Sequence, residues 1–400
     1  MIFNWFASRN VRVAQDMCKH VRRMLAAQRD ILSAPAVSAI ETALRDTRTA
    51  AATTKDGPLE KAISNLETVA GKWLKPYPNA AIRENIEVLL VALSVAMAIR
   101  TFFAQPFKIP TGSMQPTLFG VTPSPGQYAG NQSDLKIPGR LSRFFDYWLH
   151  GNSYYDVVAP ADGELQAVRP PQRLLLFNLK QEYEFNNNWY TIWFPEDDLF
   201  ARAGYSLLRG DVLNSPQFKA GDPIVHLKVV AGDHLFVDRV SYNFRHPTRG
   251  EVIVFETTGI PTLPQGEFYI KRLVALGGEN VQIGDDRHLI INGTRLDMST
   301  PHFENIYSFD PNQPPRESHY SGHLNQAVAN AYHMYPNLAP HFPDQSTVFT
   351  VSPDHYMVMG DNTANSSDSR VWGDFTRTNV IGKYFFVYWP FSERFGWSVK

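Results

Sequence analysis

The sequence has 400 residues and a single cysteine, Cys18, so no disulfide can form within the chain. That count leaves the redox compartment open. There is no G-x-S-x-G elbow, and position 116, three residues after Ser113, is proline rather than the lysine of an S-x-x-K pair. No H-E-x-x-H occurs, which removes the zincin pattern. The net charge is only −1, so the chain carries no electrostatic footprint for nucleic acid. Fixed-period repeats are absent. Long apolar runs are nearly absent too: one stretch, near residue 90, stands apart. Because 85 residues precede it, that stretch is not expected to be a cleaved signal peptide.

What is present describes a globular chain, with 44% hydrophobic and 19% charged residues, long enough for two or three domains. The apolar stretch Ile86–Ala104 reads as a membrane span, with the anchor expected over residues 84–106. Its charge-free core, Val88–Ile99, is twelve residues, shorter than the roughly 20 a span needs. Arg100 is placed to snorkel toward a headgroup, and Phe102, Phe103 and Phe107 to sit in an interfacial belt. A buried core helix is the alternative reading. Residues 1–85 hold 13 Lys and Arg against 8 Asp and Glu, a net of +5, whereas the remainder is at −6. This bias places the N-terminal part on the cytoplasmic side and residues 105–400 outside.

Residues 1–80 are expected to form a helical cytoplasmic region of two or three helices, punctuated by Pro35 and by KDGP at 55–58. After Ala104 the texture changes. Short β-branched and aromatic runs recur, among them PIVHLKVV (223–230), HLFVDRVSY (234–242), EVIVF (251–255), FYIKRLVAL (268–276), YMVMG (356–360) and YFFVYWP (384–390). Turn residues separate them, so the expected fold class is mainly β and antiparallel. Asn292-Gly293 is a hairpin turn signal. Residues 299–347, rich in Pro, His, Asn and Tyr, read as an irregular excursion with one helix-like piece at 324–335.

The stretch IPTGSMQPTL (109–118) holds Ser113 beside Gly112 and between Pro110 and Pro116. Each proline disfavours helical backbone at the residue before it, and Gly112 lets another backbone approach. The serine is thus either presented or part of a proline-flanked linker. As a nucleophile it would need a base. Five histidines, His302, His319, His323, His333 and His341, crowd the excursion, but their spacing fits no metal site. Spacing leaves a His–Asp pairing with Ser113 open. Lys271 in FYIKRLVAL is the stronger candidate. Alternation puts Tyr269, Lys271 and Leu273 on one face and Ile270, Arg272 and Val274 on the other. On a buried face the ammonium loses hydration and its pKa falls; on an edge strand the same lysine would be a solvated guard against aggregation. A third stretch, GDNTANSSDSRVWG (360–373), sets Asp361, Ser366, Asp368 and Arg370 between two apolar runs.

Taken together and in this order, PFKIPTGSMQPTL (106–118), RGEVIVF with FYIKRLVALGGE (249–279) and GDNTANSSDSRVWG resemble type I signal peptidases. These are membrane-anchored serine–lysine endopeptidases that remove signal peptides from exported proteins. The resemblance implies that Ser113 is the nucleophile and Lys271 the general base. It implies that Thr111 and the Ser113 N–H form the oxyanion hole, and that Ser366 orients the lysine. Asp361, Asp368, Arg370 and Arg272 would brace the site. No metal and no cofactor are expected. The implied partners are signal peptides of secreted preproteins with small residues at the first and third positions before the cut, commonly Ala-x-Ala, and the lipid bilayer; no nucleic acid is expected. The implied location is the cytoplasmic membrane, crossed once. Two other readings stand beside this one: a Ser–Lys protease with a different substrate, and a membrane-bound assembly or scaffold protein that keeps the fold.

The chain departs from the family at Thr363 and Ala364, where familiar relatives have an arginine and an acidic residue. It also separates Ser113 from Lys271 by 158 residues, about three times the gap in simpler relatives. The extra chain is expected to be an inserted β subdomain over 120–230, within a catalytic β domain made of 107–119 and 231–400. Recruitment of secretion machinery and simple packing beside the active site are both open roles for it.

Overall fold

The computed structural model describes residues 9–53, 56–75, 79–124, 135–174, 177–316 and 320–397. Of the positions singled out above, Lys55 of the KDGP turn and His319 lie outside the described residues. Contacts divide the chain into two compact units, 1–94 and 95–400.

In the first unit three helices pack together: α1 (Arg9–Gln28), α2 (Ala34–Thr53) and α3 (Asp56–Trp73). Pro35 falls in the first turn of α2, where its missing N–H costs nothing. The apolar stripes of the three helices meet at Cys18, Val21 and Leu25 of α1, Ile40 and Leu44 of α2, and Leu66 of α3. Helix α4 (Ala80–Phe102) follows. Over Ile82–Phe102 it is apolar and long enough to cross a bilayer, and none of that stretch is buried. A core helix would be buried, so that alternative fails. The helix itself ends at Phe102, and Ala104–Pro106 already pair with a neighbouring strand.

The second unit is mainly antiparallel β, as expected. Its largest sheet has eight strands: β1 (Ala104–Lys108), β2 (His234–Asp238), β3 (Val252–Glu256), β4 (Phe268–Leu276), β5 (His355–Met359), β6 (Phe375–Thr376), β7 (Val380–Trp389) and β8 (Gly396–Trp397). The order is β1-β2-β7-β3-β4-β5-β6, with β8 added to β7. Register shifts in the β2–β7, β3–β7 and β4–β5 pairs mark bulges that bend the sheet. The Asn292-Gly293 turn is present, both residues at positive φ (50° and 80°), joining Leu289–Ile291 to Thr294–Arg295.

Between β1 and β2 the chain leaves along Thr122–Ser124 and returns along Pro223–Val230, two strands paired with each other. Asn152–Val158 pairs on the other side of the returning strand. Beyond lies a seven-stranded sheet between Gly163 and Phe218. This part has its own core, with Leu165, Phe185 and Phe200 packed against Val225, Leu227 and Val229. Residues 299–347 are irregular but not peripheral. Phe303, Ile306 and Phe342 are buried against Val274 and Ala275 of β4 and Met357 and Met359 of β5. The excursion therefore covers one face of the central strands, and sequence texture alone did not suggest that.

Candidate active site

The loop after β1 is fixed at both ends. The Ile109 N–H donates to the Asp233 carbonyl at 2.9 Å, and the Phe119 N–H donates to the Asp233 carboxylate at 2.7 Å. Arg394 holds that carboxylate with a two-pronged bond, 2.8 and 3.0 Å. Two glycines permit the approach: a Cβ on Gly120 would fall 2.2 Å from the Thr111 carbonyl carbon, and one on Gly232 would fall 1.9 Å from the Ile109 oxygen. Within this frame Gly112–Met114 form one tight 3-10 turn. Met114 and Leu118 are buried with Ile109, Leu235 and Val237. Ser113 is thereby held 7% exposed at the head of the turn.

Lys271 sits in the middle of β4, opposite Ile253 of β3. The strand is not a solvated edge: both its faces are buried, with Ile253 and Leu273 on the lysine's side and Val252 and Val274 on the other. Lys271 Nζ donates to Ser113 Oγ at 2.6 Å. Burial is the main reason its pKa is lowered to about 8; Asp368 and Asp361 oppose the shift and Arg370 adds to it. The histidine alternative is not realised: His323 is buried, its Nδ1 hydrogen-bonds the Tyr307 hydroxyl, and among the described residues no histidine bonds Ser113. Burial, with Arg370 assisting, lowers the His323 pKa to about 3 and holds the imidazole neutral.

The polar residues expected around the dyad form two buried ion pairs. Arg272 grips Asp361 through Nε (2.8 Å) and Nη2 (2.6 Å), and its Nη1 donates to the Gly250 carbonyl at 2.7 Å. Thr117 donates a further bond to Asp361. Arg370 grips Asp368 through Nε and Nη2, both at 2.9 Å. Asp368 also accepts from the Gly360 and Arg370 N–H groups. Burial pushes the Asp368 carboxyl up, but the guanidinium and these bonds outweigh it, so the group stays below its ordinary range. Such pairs are costly to break, because one partner alone would be a stranded buried charge.

Thr111 is exposed, with extended backbone at the start of the turn, and its side chain makes no capping bond. Ser366 is buried beside Gly360 and the Ser113 carbonyl; its hydroxyl lies near enough to the Asp368 carboxylate to help hold that group ionised, and among the described residues it makes no bond to Lys271. Residue-level reading passed over Asn362. Its N–H donates to the Ser113 carbonyl (3.0 Å) and its side-chain amide to the Gly112 carbonyl (3.1 Å), tying the 360–373 loop to the serine turn. Its place next to Asp361 was the only available signal. Thr363, read as a departure, is built into the bracing network. Its hydroxyl accepts from Arg370 Nη1 at 2.7 Å and from the Leu324 N–H at 3.2 Å.

A family model described as signal peptidase, peptidase S26, matches residues 82–122 and 225–389, and leaves 123–224 unmatched. A signal peptidase I from Leptolyngbya laminosa is 30% identical over 166 residues, covering 40% of this chain. The chain spans 62% of that relative's length, under two thirds. One from Aquifex aeolicus is 32% identical over 186 residues, covering 40% of this chain and 70% of its own. A solved structure of a signal peptidase I from Enterococcus faecalis, 26% identical, covers 35% of this chain and 97% of its own length with a TM-score of 0.23. Matched by that family model over both the serine and the lysine segments, this chain belongs to the signal peptidase family, peptidase S26.

Proposed function

We propose that the protein is a membrane-anchored serine endopeptidase that cleaves signal peptides from exported preproteins after small residues. The observation that carries this reading is the 2.6 Å contact between the buried Lys271 amine and the Ser113 hydroxyl. With the amine neutral, the hydroxyl becomes the donor and Lys271 takes its proton as Oγ attacks the scissile carbonyl. The new C–O bond turns the carbonyl oxygen into an oxyanion, to which the Ser113 N–H and the Thr111 hydroxyl, which makes no capping bond, donate; such donors are each worth about 3 kcal/mol. The ammonium then protonates the leaving amine as the C–N bond breaks. A water, deprotonated by the regenerated amine, releases the acyl group from Ser113. Ser366, buried next to the serine turn and close to Asp368, is the group proposed to steady the amine during these transfers. The Arg272–Asp361 and Arg370–Asp368 pairs brace the strand and loop that carry the dyad.

The substrate would bind extended along an exposed strand edge. The inserted residues reach this neighbourhood: a cavity of about 250 Å³ borders Pro110 and Thr111 on one side and Asp197, Asp198 and Arg202 on the other. This supports packing beside the active site as the insertion's role. Helix α4 would anchor the chain with its N-terminus cytoplasmic, so that Ser113 works close to the bilayer where the signal peptide's apolar segment lies. Sharing one surface raises the effective concentration of both partners.

The test uses the full chain purified in detergent and a preprotein with an Ala-x-Ala site. Wild type is expected to release the mature protein, and Ser113→Ala and Lys271→Ala to abolish release. Release by Ser113→Ala would reject the dyad. Cleavage only of other sequences would favour a Ser–Lys protease with a different substrate.

A further inference from the structure

Helix α5 (Arg140–His150), RLSRFFDYWLH, is turned the wrong way round for a soluble surface helix. A surface helix normally buries its apolar face. Here the polar side faces the protein: Asp146 accepts from Asn152 (2.9 Å) and Tyr154 (2.6 Å), and pairs with His150. The helix is firmly seated. Trp389 donates to the Trp148 carbonyl and the Phe391 N–H to the Leu149 carbonyl, each at 2.8 Å, and Gly151 closes the helix at φ 69° against Trp389. Yet none of its residues is buried. Leu141, Phe144, Phe145, Trp148 and Leu149 remain 45–78% exposed and share one stripe at helical spacing.

The chemistry next to the stripe says what covers it. Arg140 and Arg143 line a cavity of about 720 Å³ together with Phe144, Trp193 and Phe194. The other cations of that cavity, Lys108 and Arg173, are paired with Glu196 and Asp197, whereas Arg140 and Arg143 have no ion pair among the described residues. Two unneutralised guanidinium groups beside Trp and Phe side chains match the headgroup level of an anionic bilayer, where aromatic rings concentrate and basic side chains meet phosphate. The chain also carries its own membrane-length helix, α4. Helix α5 lies outside both segments matched by the family model.

We propose that α5 is an interfacial helix of the insertion: its Leu141, Phe144, Phe145 and Trp148 face lies at the headgroup–acyl boundary of an anionic bilayer, with Arg140 and Arg143 on lipid phosphates. The insertion thereby gives the second unit its own hold on the membrane. This rests on the anchoring by α4 proposed above, and not on the peptidase chemistry.

The test uses the full chain in a Cys18→Ser background, with Phe145→Cys or Val91→Cys carrying an environment-sensitive fluorophore. Each is reconstituted in phosphatidylcholine vesicles with and without phosphatidylglycerol, containing lipids with a nitroxide at a shallow or a deep acyl position. The probe at 91 reports α4 and should be quenched by the deep nitroxide. The probe at 145 should be quenched at least about twofold more by the shallow than by the deep nitroxide. It should also be shielded from aqueous iodide. Arg140→Gln with Arg143→Gln should lower that quenching in the anionic vesicles to its level in phosphatidylcholine alone. Quenching at 91 with none at 145 overturns the interfacial helix and leaves the anchor intact. No quenching at 91 overturns both. Excimer emission from pyrene placed at 145 would mean that a second copy covers the stripe, and would overturn the lipid assignment. Equal quenching with and without phosphatidylglycerol would overturn the role given to the two arginines.

Discussion

At the scale of single residues, Lys271 is under two opposed demands. Burial lowers its pKa from an ordinary 10.5 to about 8, which makes a neutral amine accessible near physiological pH. General-base catalysis needs that neutral form, so kcat/KM for preprotein cleavage is expected to rise as pH passes through about 8 and then level off. A stopped-flow or gel-based pH profile checks this; an acidic limb centred near 10.5 would mean that the amine is solvated. The same burial costs stability. Between about pH 8 and 10.5 the unfolded chain holds a proton that the folded chain lacks, so stability rises with pH across that window. Below it the full cost applies, on the order of 3 kcal/mol for a shift of this size. Lys271→Met is therefore expected to abolish cleavage and, at pH 7, to raise the denaturant midpoint. Relative to wild type, that gain should shrink as pH is raised toward 10.5.

At the scale of elements, the site is a meeting of a turn, a strand and a loop. The turn brings Ser113, β4 brings Lys271 and Arg272, and the 360–373 loop brings Asp361, Asn362, Asp368 and Arg370. Thr363 links this loop to the excursion by serving both Arg370 and the Leu324 N–H. Thr363→Val keeps the shape and removes both acceptor bonds. It is expected to destabilise the fold by about 1–3 kcal/mol, the usual cost of stranding buried donors. The Leu324 amide should exchange faster with deuterium, which a surface role for Thr363 would not produce. The serine, the lysine and the carboxylates were all legible from three short motifs. Asn362 and Thr363 were not, because their value lies in bonds to residues 250 and 39 positions away.

At the scale of the whole molecule, the charge difference across α4 sets the expected topology. The segment before it carries a net of +5 and the remainder −6. Residues 1–80 should therefore stay cytoplasmic and the β unit should lie outside. Protease added to intact right-side-out cell preparations is expected to degrade the β unit and spare the N-terminal helices; the reverse pattern would invert the topology. The fold class was readable because alternating β-branched and aromatic runs report strands regardless of partner. Strand order was not: β7 lies between β2 and β3, and only pairing between strands remote in the chain determines that. The structural weight of residues 299–347 was hidden as well, since Phe303 and Phe342 sit in irregular chain without periodicity to mark them.

The sequence by itself determined the apolar helix and the β character of the second unit, and it singled out the serine and the lysine as candidates, because each is encoded in local pattern or in short contiguous motifs. Tertiary structure alone decided that Ser113 and Lys271, 158 residues apart, come within 2.6 Å, and that the amine is buried enough to lose its proton easily. It alone decided that α5 turns its apolar stripe outward. The reason is common to all three: distance in space, exclusion of water and the direction a face points arise from packing between segments remote along the chain, and no local stretch contains them.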